Sequence, residues 1–123
     1  MAARRPTVIH APSAEVTNWT SDRFKAHNLD ALVLNLNTTL ASGGTNGANV
    51  SLLGYDRNGS IYIIDQSANF LGTGKRAFCY GPGISAGGFR AVNCPIPYEF
   101  AFQVAFDYAS YNFYAEIEET VVA

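Results

Sequence analysis

Tyr98, Phe100, Phe102, Val104 and Phe106 alternate with Glu99, Ala101, Gln103, Ala105 and Asp107, and no other stretch of the chain limits its fold so tightly. A period of two places successive side chains on opposite faces of a strand, so this run predicts one strand face made almost wholly of aromatic rings. Such a face must be covered by a second layer. Asp107 to Ser110 reads as a turn, after which Tyr111, Phe113, Ala115 and Ile117 alternate with Asn112, Tyr114, Glu116 and Glu118. The two runs together predict a hairpin.

The same period recurs upstream. From Asp30 the segment DALVLNLNTTL sets Leu32, Leu34 and Leu36 on one face and Ala31, Val33, Asn35 and Asn37 on the other. ASGGTNGAN, Ala41 to Asn49, reads as a flexible loop without chemistry of its own. Asn58-Gly59 within YDRNGSIYIID marks a tight hairpin tip of type I′, because both residues tolerate positive φ. Centring the turn there pairs Tyr55 with Tyr62, Gly54 with Ile63, Leu53 with Ile64 and Leu52 with Asp65. Ala77 to Tyr80 predicts a brief strand bounded by glycines, and Ser21 to Asn28 is the one weak helical candidate.

Short strands joined by Gly-rich turns predict an all-β chain, a single-domain antiparallel β-sandwich or jelly-roll-like barrel. A length of 123 residues suits one domain with one core. Residues 1–15 contain Arg4, Arg5, Pro6 and Pro12 without sustained periodicity. They read as an extended N-terminal arm, mobile when alone, with a short strand at most over Thr7–His10; residues 16–123 form the sandwich domain.

Charged residues make up only 15% of the chain and the formal net charge is −2, which leaves no basic footprint for nucleic acid. No apolar run is long enough to span a membrane, and the first residues lack the apolar segment of a signal peptide, so synthesis in a cytosol is expected. In that compartment Cys79 and Cys94 are favoured as free thiols.

No constellation points to catalysis. GTGK, Gly72 to Lys75, lacks the upstream glycine of a phosphate-binding loop and has Arg76 where Ser or Thr is needed. GPGISAGG has the wrong glycine spacing for a dinucleotide site. His10 and His27 read as surface histidines with no nucleophile motif nearby, and a metal site would need ligands from four separate places. Glu116 and Glu118 read as a solvated edge. The expectation is a protein with neither enzymatic activity nor cofactor.

From Thr17 onward the stretches TNWTSDRF, LDALVLNLNTTLASGGTNGANVSLLGYD, GSIYIIDQSANFLGTGKRAFCYGPG and PIPYEFAFQVAFDYASYNFYAEIE follow one another in an order that resembles small head decoration, or cement, proteins of tailed bacteriophages and prophages. FDYASY departs from the Gly/Thr/Ser/Pro-rich tip expected at the last turn. The resemblance implies a virion structural protein that binds the major capsid protein on the outside of the shell, commonly as a homotrimer. In that setting Arg4, Arg5, Pro6, Val8 and Ile9 form the capsid-binding segment, ordering on the partner by strand addition. The alternative is a carbohydrate-binding module in which Trp19, Tyr108, Tyr111 and Tyr114 stack on sugars.

Overall fold

The computed structural model describes residues 2–26, 29–84 and 86–122, with side chains from Pro6 to Thr120. Among the described residues the chain forms ten strands: β1 (Ala2–Glu15), β2 (Trp19–Thr20), β3 (Phe24–Lys25), β4 (Leu29–Ser42), β5 (Ala48–Tyr55), β6 (Ile61–Gln66), β7 (Gly74–Gly81), β8 (Arg90–Asn93), β9 (Glu99–Phe106) and β10 (Ser110–Val122). One sheet has the order β1-β10-β4-β7-β8; the other runs β2-β9-β5-β6, with β3 also paired to β9. Neighbours are antiparallel except β7 and β8, which are parallel. The sheets stay separate, so of the two expected architectures the sandwich is the one formed.

The alternating runs build the core as their period requires. Leu32, Leu34 and Leu36 of β4, Phe100, Phe102 and Val104 of β9, and Tyr111, Phe113, Ala115 and Ile117 of β10 are all essentially inaccessible. Each large apolar side chain so buried contributes about 1.5–3 kcal/mol relative to exposure. Tyr111 can be buried because its hydroxyl shares a 2.6 Å hydrogen bond with Thr38 Oγ1. Ser21–Asn28 does not form the helix its composition allows: Phe24 and Lys25 pair with β9 instead, while His27 and Asn28 lie outside the described residues.

β9 and β10 do not form a hairpin with each other. β9 pairs with β5 and β10 with β4, so the short connection over Asp107–Ala109 is an arch that carries the chain from one sheet to the other. As hairpin neighbours the two aromatic faces would stand side by side and both need cover. Across the sandwich each covers the other.

A second arch, between β4 and β5, lies against the first. The Asp107 carboxylate accepts backbone N–H groups from Thr45 (3.1 Å), Asn46 (2.8 Å) and Gly47 (3.0 Å), and Asp107 N–H donates to Gly47 O. The loop that reads as flexible is therefore fastened. These amide donors, that of Asn46 foremost, hold the Asp107 carboxyl below its ordinary value. A depressed folded-state value means that the bonds stabilise the fold above the unfolded aspartate value of about 3.9 and are lost as pH falls through the folded value. Asp107→Asn should lower the melting temperature at neutral pH, and the gap between variant and wild type should close on acidification. A gap that is unchanged in acid would rule out the carboxylate as its source.

The Asn-Gly hairpin differs from its expected register. Asp56 N–H bonds to Ser60 O at 3.0 Å, enclosing a three-residue loop, Arg57-Asn58-Gly59, in which Gly59 has positive φ (+81°). Asp56 Oδ1 fixes this geometry by accepting from the N–H groups of Asn58 and Ser60. Tyr55 consequently faces Ile61, Gly54 faces Tyr62 and Leu53 faces Ile63, one step off the two-residue-turn register. A bulge at Ile64 restores Leu52 opposite Asp65. Asp65 then reaches across the open side of the sandwich to Arg90 of β8, in a bidentate pair at 2.7 and 3.0 Å.

The N-terminal segment is a full edge strand. β1 pairs with β10 from Ala2 opposite Val122 to Glu15 opposite Tyr111, through two register shifts. His10, expected on the surface, is 7% exposed. Its ring stacks on Phe113 at 3.9 Å and meets the edge of Trp19 at 4.9 Å, while its nitrogens bond to Phe113 O and Glu15 Oε2. The arm thus has an anchor.

Candidate binding surfaces

Of the five residues expected to meet a partner, Arg4, Arg5 and Pro6 stand opposite Thr120, Glu119 and Glu118 in the ladder. The side chains of Arg4 and Arg5 lie outside the described ones; Pro6 and Val8 are exposed, and Ile9 packs against the core. These positions share one strand.

The sheet edges differ in character. β1 is blunted by Pro6, Pro12 and its two bulges, and β8 is only four residues long. β6 has neither proline nor lysine and shows Ile61 (57%), Tyr62 (44%) and Ile63 (59%) to solvent. An apolar strand edge of this kind presents unpaired backbone groups together with side chains that gain by being covered.

The expected sugar-stacking set is dispersed. Tyr108 and Tyr111 are buried and stack on each other at 5.3 Å, and Trp19 is packed beside Phe113. Of these four, Tyr114 alone faces outward, into a groove of about 690 Å³ on the outer face of the β1-β10-β4-β7-β8 sheet. The groove is floored by Asn35 and Asn37 of β4 and Ala77 of β7, and bordered by Lys75, Tyr114, Glu116 and Phe89. Register explains the grouping: Glu116, Asn35 and Ala77 form one cross-strand row, and Tyr114, Asn37 and Lys75 the next. Tyr114 donates its hydroxyl proton to Glu116 Oε2 at 2.7 Å, which raises its pKa. Arg76 lies over the rings of Phe70 and Phe89 at 4.5 and 5.5 Å and holds the groove wall. The alternation in β4 places Asn35 and Asn37 on the face opposite Leu32, Leu34 and Leu36 without assigning them a role. The available signal was two asparagines, poor strand formers, at alternate positions of one strand.

Among the described residues no group of three or more His, Cys, Asp and Glu could hold a metal ion. Cys79 and Cys94 are unbonded, and burial pushes both thiols up in pKa.

No family model and no curated protein matches the chain. Solved structures share its fold. The SPBc2 prophage-derived protein YomS superposes with a TM-score of 0.57 at 12% identity, over 98% of this chain and 95% of YomS. A chain in the structure of infectious bursal disease virus, Gx strain, superposes with a TM-score of 0.56 at 7% identity, over 98% of this chain but 32% of its own length. At these identities the likeness is one of fold.

Proposed function

We propose that the protein is a non-enzymatic virion component that binds the major capsid protein on the outer surface of a phage shell, as a homotrimer, and stabilises that shell. The fold shared with a prophage-derived protein and with part of a virus structure supports a place in a virion. The observation that carries an adhesive role is the unprotected β6 edge. Its Ile61 and Ile63 suit contact with a neighbouring copy, while Arg4 and Arg5, on the opposite sheet's edge strand, suit acidic groups on the shell. Such a role requires a stiff body and adhesive edges rather than an active site.

Mass spectrometry and imaging of purified virions test the reading directly: the chain should be present in many copies on the shell exterior, and its absence from virions would exclude the role. Ile63→Lys should convert the trimer to monomer in sedimentation, because a charge on an edge strand opposes pairing. A trimer that survives the substitution places the subunit contact elsewhere. Arg4→Ala with Arg5→Ala should lower shell occupancy and remove most of its salt dependence.

A further inference from the structure

The groove over β4, β7 and β10 carries polar groups that the fold does not use. Asn35 and Asn37 are half-buried, and their side-chain amides make no hydrogen bond to another described residue. Each amide has two donor hydrogens and an acceptor oxygen, held on a central strand where the backbone is paired on both sides. Glu116 sits beside them, its Oε2 accepting from the Tyr114 hydroxyl.

We propose that this groove binds a neutral oligosaccharide, with Asn35, Asn37 and Glu116 hydrogen-bonding its hydroxyls while Tyr114 and Phe89 contact the apolar faces of its rings. The volume lies within the range of small-ligand sites, roughly 300–1,000 Å³. Charge selects the ligand class. Lys75 and Glu116 oppose each other on the rim, and the Arg76 guanidinium donates to Leu71 O and lies over two aromatic rings with its Nη1 buried away from the groove, so the lining's single net positive charge falls short of the basic cluster a polyanion needs and offers nothing to a polycation. An apolar partner would bury the asparagine amides unpaired, which is unfavourable. Vicinal hydroxyls satisfy donors and acceptors together, and the aromatic border complements the C–H faces of the rings. The site differs from the aromatic platform suggested by the sequence: of those four residues only Tyr114 remains. It goes beyond shell binding and does not depend on it.

The test is a titration of the isolated full-length, ¹⁵N-labelled protein with maltohexaose, cellohexaose and mannohexaose at millimolar concentrations, followed by NMR. At least one should shift the side-chain amide signals of Asn35 and Asn37 saturably. Asn37→Ala and the milder Asn37→Ser should weaken that binding roughly tenfold, the loss of about one hydrogen-bonded contact, while melting stays within the wild-type range. Asn49→Ala, outside the groove, should leave affinity unchanged. No saturable shift with any of the three sugars, shifts confined to other surfaces, or tighter binding of polygalacturonate than of every neutral sugar would each overturn the assignment.

Discussion

A chain that begins at Val16 should lose stability on the order of 5 kcal/mol or more, comparable with the whole stability of a small domain. The truncation removes the edge strand that pairs along β10 and withdraws Ile9 and His10 from the core. It strips the stacked partner from the Phe113 ring and leaves β10 as a long unpaired edge above a hydrophobic face. Urea unfolding of the isolated protein measures the effect, and the truncated chain should show either a much lower midpoint or no cooperative transition. A midpoint equal to that of the full chain would mean that β1 contributes nothing in solution, as a mobile arm would. Truncation therefore cannot separate folding from shell binding, whereas the paired arginine substitution leaves the strand in place.

Gly47→Ala should be strongly destabilising, by roughly 2–4 kcal/mol, and Gly72→Ala much less so. Both glycines have positive φ, +91° and +82°, so the conformational penalty is similar. They differ in what a Cβ would meet. At Gly47 it would lie 2.1 Å from the backbone oxygen of Phe70, whereas at Gly72 nothing lies within 4 Å. Phe70 cannot yield easily, because its N–H and C=O are both bonded to Ala48. Thermal melts of the two variants give the comparison. Equal losses would show that backbone conformation alone sets the penalty and that the close approach of the two segments is relaxed in solution.

The parts of the fold that were legible in the sequence are those in which one period holds without interruption. Leu32, Leu34 and Leu36, and the runs from Phe100 to Val104 and from Tyr111 to Ile117, go inward as their alternation requires. β1 was legible only as an extended segment, because its register shifts between Val8 and His10 and between His10 and Ser13 break the alternation. His10 shows the same limit: its burial depends on Phe113, Trp19 and Glu15, and only Glu15 is close in sequence. The arch at Asp107 looks like a hairpin turn locally, since a short polar connection between two amphipathic strands does not say whether they pair or face each other. At the hairpin tip the decisive residue was Asp56, whose carboxylate selects the three-residue loop. The groove was hidden for a different reason. Its residues come from β4, β7 and β10 and from the Gly88-Phe89 segment, and only strand order brings them together.

That strand order also governs when the chain can fold. The polypeptide crosses between sheets after β1, β3, β4, β6, β8 and β9, so neither sheet is built from consecutive strands. β10 is made last, yet it lies between β1 and β4, the first long strands made. Until it leaves the ribosome, β1 has no partner and the inner faces of β4 and β9 stand open. Folding must therefore wait for β10 to emerge and proceed at the slow rates of topologies dominated by distant pairings. Nascent chains arrested before Ser110 should remain sensitive to protease throughout, while chains arrested with β10 outside the exit tunnel should become resistant in a single step.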